Sequence, residues 1–288
     1  MDNQQMMSEK ICLVTGATSG IGKVTAIALA KQGATVVLVG RHKEKCEMTV
    51  SEIKAQTGNE SVEYLVADIS SQREVRQLVQ DYTRRYSRLH VLVNNAGISL
   101  LFKREFSPDG IELTFATNHL GPFLLTNLLL DTLKASAPAR IINVASIAHE
   151  WIAFDPERIQ RLRGIRAYSA SKCANILFTY ELARRLEGSG VTVNALHPGF
   201  VATNIGRNNG VLAKIVIPLS NWFNKAVSPE EGAETSIYLA TSPEVEGVSG
   251  KYFVKKKATP SAKQMYNEAM AKRLWALSVE MTKSVAMY

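Results

Sequence analysis

The chain has 288 residues, of which 46% are hydrophobic and 21% charged, with a formal net charge of +8. This is the composition of an ordinary soluble globular protein, long enough for one large α/β domain or two smaller ones with a substantial core. Its Lys and Arg are scattered, with short runs only at Arg84-Arg85 and Lys255-Lys256-Lys257, so they read as solvated faces and not as a nucleic-acid footprint; an acidic membrane surface or an anionic cofactor are the other uses of such charge.

Met1 to Lys10 is polar and lacks the apolar stretch of a secretory signal. The densest apolar run, within Phe123 to Leu130, is broken by Thr126 and Asn127 and is too short to span a bilayer. Cys12, Cys46 and Cys173 have no C-x-x-C or metal-ligand spacing and read as reduced thiols, Cys12 in a strand core. The expectation is a cytoplasmic protein, with peripheral membrane contact as the alternative.

Ile11 to Thr15 is a continuous apolar run, as suits a strand buried on both faces of a parallel sheet. It leads into Gly16-Ala17-Thr18-Ser19-Gly20-Ile21-Gly22 and a helical pattern from Lys23 to Gln32. Strand, glycine-rich turn and helix bring backbone N–H groups and a helix N-terminus up to a pyrophosphate. Isolated, such a turn is only flexible; in this context it reads as a dinucleotide cradle.

A second strand, Thr35 to Val39, ends at Gly40-Arg41-His42-Lys43, where an NAD-binding fold would place an acidic residue on the adenine ribose. Arg41 and Lys43 instead offer cations suited to the 2′-phosphate of NADP, unless they are plain surface charges. Lys45 to Gln56 reads as a helix and Val62 to Val66 as a third strand, with Asp68-Ile69 past its end. Asp68 is placed to accept from an adenine amino group, to cap the helix beginning near Ser71, or both. The helix Arg73 to Tyr86 leads to a fourth strand, Leu89 to Val93, ending in Asn94-Asn95-Ala96-Gly97 at the crevice edge.

Pro108 to Lys134 reads as largely helical and contains Asn118 and His119. Asn is a poor helix-interior residue, so Asn118 calls for a function or a buried main-chain partner; His119 reads as structural. A fifth strand, Arg140 to Ala145, ends at Ser146 and is followed by a polar and aromatic segment, His149 to Arg166. On the next helix, Ala167 to Leu186, Tyr168 and Lys172 lie four apart and so share one face, a phenol beside a fixed cation. Val191 to Leu196 is a sixth strand, closed by His197-Pro198-Gly199. The apolar stretch Val211 to Phe223, with Ile215, Trp222 and Phe223, reads as part of a lid at about 200–227 over a lipophilic substrate, or as core filler. Pro229 to Ala240 is helical, Lys251 to Val254 a seventh strand, and 261–283 a C-terminal helix packed on the body. Alternating strands and helices without a linker predict an α/β fold: a polar tail at 1–9, then one domain over 10–288, a Rossmann-type doubly wound parallel sheet of about seven strands with helices on both faces.

Together these pieces resemble the short-chain dehydrogenase/reductase family: Thr15 to Gly22, Asp68, Asn94-Asn95-Ala96-Gly97, Asn118, Ser146, Tyr168 with Lys172, and Pro198-Gly199 followed by Thr203. Within it, Ala116 to Gly121, Leu182 to Gly188 and Asn194 to Gly199 look like the retinol dehydrogenase-like branch, which acts on lipophilic aldehydes, ketones and retinoids, usually with NADP(H). Membrane-bound members of that branch carry an apolar N-terminal anchor, and Met1 to Lys10 is not one.

The resemblance implies a catalytic set of Asn118, Ser146, Tyr168 and Lys172. Tyr168 is the general acid in carbonyl reduction or the base in alcohol oxidation, and Ser146 donates to the substrate oxygen. Lys172 holds the nicotinamide ribose and, with the positive oxidised ring, favours the phenolate of a group whose free pKa is about 10. Asn118 holds a water that relays protons from Lys172. Gly16, Thr18, Ser19, Gly20, Ile21, Gly22, Arg41, Lys43, Asp68, Ile69, Asn95, Ala96, Gly97, Tyr168, Lys172, Pro198, Gly199, Val201 and Thr203 are the implied cofactor contacts, and NADPH the implied cofactor. The expected function is reduction of a lipophilic carbonyl. The competing readings are a steroid or other secondary-alcohol dehydrogenase, and a cofactor-binding scaffold without turnover. Family dimers pair through the helices around Asn118 to Lys134 and Ser169 to Leu186, which makes a homodimer a further expectation.

Overall fold

Apolar runs ending in glycine- or amide-rich turns become the strands of one sheet in the computed structural model, which describes residues 6–100, 103–200 and 227–282. The strands are β1 (Ile11–Thr15), β2 (Thr35–Gly40), β3 (Val62–Val66), β4 (Val91–Asn94), β5 (Ala139–Val144), β6 (Val191–His197), β7 (Lys251–Val254) and β8 (Lys257–Ala258). Their order is β3-β2-β1-β4-β5-β6-β7-β8. All neighbours are parallel except the last pair. The chain winds outward from β1 through β2 to β3, then returns to place β4 on β1's other side. The carboxyl ends of β1 and β4 therefore flank the switch point where α/β sheets bind ligands.

Successive strand residues point to opposite faces, so each strand feeds two cores. On one face Cys12, Val14, Val36, Leu38 and Val93 meet Ala26 and Leu29 of α1 (Gly20–Lys31), Ile53 of α2 (Lys43–Thr57) and Leu239 of α8 (Pro229–Thr241). On the other, Leu13, Val37, Leu92 and Ile141 meet Leu78 and Tyr82 of α3 (Gln72–Arg85), Phe123 of α5 (Gly121–Leu128) and Phe178 of α7 (Gly164–Arg185). Each fully buried Val, Leu, Ile or Phe among them contributes about 1.5–3 kcal/mol.

Several boundaries differ from the sequence reading for local reasons. β4 begins at Val91, because the Leu89 N–H is spent on the Ser136 hydroxyl (2.8 Å). The helix expected over 108–134 is divided. A turn at Ser107 to Gly110 precedes α4 (Leu113–Phe115), a π-helical turn covers Ala116–Leu120, α5 follows, and Leu129 at φ −98°, ψ 3° separates α6 (Leu130–Lys134). The eighth strand exists because Lys255 (φ 49°) and Lys256 (φ 64°) adopt the left-handed conformations of a two-residue hairpin, positions that usually take Asn or Gly. In the tail, Met7 is buried and its N–H donates to the Gln32 carbonyl (3.0 Å).

The C-terminal segment begins as a 3-10 turn at Lys263–Tyr266, and only Glu268–Thr282 is α-helix (α9). Its Trp275 sits on Phe123 (5.0 Å between ring centroids) and Phe178 (5.9 Å), with the Arg185 guanidinium 4.1 Å from the indole centre. His119 donates to Ser278 of the same helix at 2.9 Å, since that hydroxyl's own proton goes to the Leu274 carbonyl. The surface of α5 and α7 expected to pair between copies is thus covered in part by the chain's own α9. Among the described residues no helix is long and apolar enough to cross a membrane.

Candidate active site

The glycine turn is shaped by what lies against it. A Cβ on Gly22 would come within 2.4 Å of both the Asn95 amide nitrogen and the Gly16 carbonyl oxygen, and one on Gly16 (φ 65°) within 2.9 Å of Ala96. Asn95 lashes the turn to β4: its Nδ2 donates to the carbonyl of Thr15 (2.8 Å) and that of Gly16 (3.3 Å). The Thr15 hydroxyl receives the N–H groups of Asn95 and Ala96, both at 3.0 Å. Asn95's amide is therefore spent on holding the loop. The Thr15 role escaped the sequence reading, although a hydroxyl at the last position of a strand running into glycine was its signal. At the start of α1, Ser19 is exposed, makes no side-chain cap, and no acidic residue occupies the first turn. Backbone donors and positive helix end are thus left for an anion.

Around this cradle, Arg41 is exposed one residue beyond β2, and Lys43, the first residue of α2, lies 3.8 Å from Glu47. Asp68 is half-buried; its Oδ1 accepts from the Ser70 N–H (2.9 Å), and Ser71 supplies the α3 cap by accepting from Glu74 (3.3 Å). Asp68 is not the cap. Ile69 packs against α5 so closely that a Cβ on Gly121 would lie 2.1 Å from its carbonyl oxygen. Small cradle, uncapped helix end and the exposed Arg41 together fit a dinucleotide with an anionic ribose substituent.

The four predicted catalytic residues come from three elements: the turn after β5, the π-helical turn and α7. Ser146 follows β5 and accepts from the Ala148 N–H (3.2 Å) with its side chain, which leaves its own proton to give away. Tyr168 and Lys172 stand on α7, with the Lys172 Nζ 5.5 Å from the Tyr168 ring centroid. Burial raises the Tyr168 phenol above its ordinary pKa, and a hydrogen bond from Ser146 acts in the opposite direction. Lys172 is buried, donates to the Val144 carbonyl (2.9 Å), and burial lowers its pKa to about 8. Asn118 sits in the π-helical turn, where its Nδ2 donates to the Ile98 carbonyl and to the Ser171 hydroxyl, both at 2.9 Å, and its Oδ1 accepts from the Ile98 N–H (2.8 Å). Gly97 lies between: a Cβ there would be 3.3 Å from Asn118 Oδ1 and 3.7 Å from Lys172 Nζ.

His197 and two aromatic rings line the same sheet edge, and the sequence alone assigns none of the three a role. His197 Nδ1 accepts from the Ile147 N–H (3.3 Å), and burial lowers its pKa to about 4, with His149 and Lys172 adding to the shift. Trp151 and Phe200, 50% and 46% exposed, stack at 6.5 Å. Pro198 and Gly199 (φ 89°) follow β6, as expected. Val201, Thr203, Ile215, Trp222, Phe223 and nearly all of the expected lid at 200–227 lie outside the described residues. A separate open groove of about 680 Å³ at the amino edge, with Arg140, Arg184, Glu187 and Tyr266 among its lining residues, contains none of the predicted site residues. The three cysteines are buried and unpaired.

Comparison with known proteins gives the family. The model of the short chain dehydrogenase family matches residues 10–211. Retinol dehydrogenase 13 of Homo sapiens is 43% identical over 280 residues, 94% of this chain and 84% of its own length. Retinol dehydrogenase 14 of Homo sapiens is 45% identical over 294 residues, 95% and 86% of the two chains. Among solved structures, the NADP active-site complex of RhlG from Pseudomonas aeruginosa aligns with a TM-score of 0.70 and 30% identity, covering 88% of this chain and 97% of that one. The protein belongs to the short chain dehydrogenase family, as an oxidoreductase similar to the retinol dehydrogenases.

Proposed function

We propose that the protein is an NADPH-dependent reductase of lipophilic aldehydes or ketones in which Tyr168 is the proton donor. The observation that carries this reading is the meeting of the Ser146 hydroxyl, the Tyr168 phenol and the Lys172 ammonium at the sheet's carboxyl edge, beside the glycine cradle. When bound, the nicotinamide supplies the hydride. Ser146 gives its hydroxyl proton as a hydrogen bond to the substrate oxygen, where negative charge develops. Tyr168 then protonates that oxygen. A phenol held above its ordinary pKa is protonated near neutrality, which suits an acid in reduction. Lys172 places a cation beside the phenolate that remains and lowers the cost of its charge.

Preference for NADPH is supported by the exposed Arg41 beyond β2, and by relatives solved with NADP or NADPH. An apolar substrate is supported by the exposed Trp151 and Phe200 stack beside His197, and by relatives whose names specify retinol and polyprenol. The test is a panel of long- and short-chain aldehydes, retinals, polyprenals and steroid ketones, each with NADPH and with NADH. The expected result is turnover of long apolar carbonyls with NADPH. Absence of turnover across the panel, or faster turnover with NADH, would overturn the proposal.

A further inference from the structure

The turn after β5 holds a buried histidine whose two ring nitrogens both serve the backbone. His149 is fully buried in a 3-10 turn at Ile147–Glu150. Its Nδ1 is 2.7 Å from the Ser146 carbonyl oxygen, and its Nε2 accepts the Ala262 N–H at 3.0 Å. A carbonyl needs a donor and an N–H needs an acceptor, so these partners fix one neutral tautomer with the proton on Nδ1. The Glu150 carboxylate, 3.9 Å from Nε2, is then no ion-pair partner. Further contacts clamp the ring and its backbone: the Tyr252 ring lies edge-on at 5.1 Å, and the His149 carbonyl accepts from Cys173, the neighbour of Lys172, at 3.3 Å.

We propose that His149 is a positioning residue that holds Ser146 in its productive orientation and ties it to the C-terminal segment. The inference rests on the reading of Ser146 as the donor to the substrate oxygen. The Ser146 carbonyl is gripped by the His149 ring and by the His149 N–H (3.3 Å), which pins the peptide plane on one side of the residue whose hydroxyl must aim at substrate. The far end of the ring anchors that grip on residue 262. The same C-terminal stretch braces the segment that follows the serine. Gln264 donates to the Ile152 carbonyl (2.7 Å) and accepts from the Phe154 N–H (3.0 Å), and Arg273 pairs with Glu157 (2.6 Å). An apolar ring would fill this space without the cost of burying two nitrogens. The polar ring instead makes one part of the chain orient another. Displacement of a reacting group by about 1 Å costs roughly a hundredfold in rate, so a loose serine turn is a catalytic defect without being a folding defect.

The test compares His149→Phe, His149→Asn, His149→Gln and Ser146→Ala in the full chain. It uses the fastest carbonyl of the panel with NADPH, and measures kcat, KM, NADPH affinity by fluorescence, and thermal midpoint. Asn places a donor where Nδ1 stands and Gln an acceptor near Nε2. The expected result is a kcat loss of about ten- to a hundredfold in His149→Phe with NADPH affinity unchanged. His149→Asn should restore most of that turnover and His149→Gln little of it. Wild-type kcat in His149→Phe beside an inactive Ser146→Ala would overturn the positioning role alone, as would equal kcat losses in the Asn and Gln variants. Wild-type turnover in Ser146→Ala would overturn the serine's role and this inference with it. Should His149→Phe fail to fold, the Asn and Gln pair decides.

Discussion

Asn118 holds Ile98 by both ends of its peptide groups, accepting from its N–H at 2.8 Å and donating to its carbonyl at 2.9 Å. With the second Nδ2 proton given to Ser171, the side chain keeps only one lone pair on Oδ1 for any further partner. The main-chain role that an interior Asn suggests is therefore realised. It also explains the π-helical turn: the widened backbone brings residue 118 across to the loop that follows β4, next to Gly97 and Lys172.

Asn118→Ala should accordingly lose stability as well as activity. Ile98 would be left with a buried donor and acceptor unpaired, a cost of about 2–4 kcal/mol. Chemical denaturation should show the shift in midpoint, and a variant as stable as wild type would show that the clamp contributes nothing.

The proposed preference for NADPH rests on Arg41, which is exposed, whereas Lys43 already has Glu47 at 3.8 Å. Arg41→Asp should reduce the NADPH-to-NADH preference in kcat/KM by at least about tenfold, the loss of one charge-assisted phosphate contact. Replacement of Lys43 should matter less. An unchanged ratio in Arg41→Asp would place the phosphate elsewhere.

Acid stability should report on His119. Burial among Phe115, Phe123 and Phe178 lowers its pKa from 6.5 to about 3, with the Asn175 amide acting weakly in the other direction. Between those two values the unfolded chain binds a proton that the folded chain does not, so stability falls as pH drops through that window. His119→Gln should flatten the dependence of unfolding free energy on pH there by about 1.4 kcal/mol per pH unit. His149 and His197, also shifted downward by burial, retain their own shares. An identical slope in variant and wild type would mean that His119 titrates normally in the fold.

The strands and the cradle were legible in the sequence because their causes are local. A run such as Ile11 to Thr15 suits only a strand buried on both faces, and glycine between strand and helix has few other uses. What escaped depends on distant partners. The late start of β4 is decided by Ser136, the cap of α3 by Ser71 and not Asp68, and the histidine grip on Ser146 by residue 262, more than a hundred positions away. The β7–β8 hairpin was hidden for a different reason, since two lysines occupy left-handed positions that seldom take them. Tyr168 and Lys172 were readable as a pair from helical spacing, but the lowering of Lys172 to about 8 comes from tertiary burial that no spacing reveals.

The most direct measurement is single-turnover reduction of a long-chain aldehyde by Tyr168→Phe with NADPH prebound. The ring and its packing remain and only the proton donor is removed, so NADPH should bind as in wild type while the rate falls by at least about a hundredfold. Equal rates in the variant and the wild type would contradict the assignment of Tyr168 as the acid, and with it the mechanism proposed for this site.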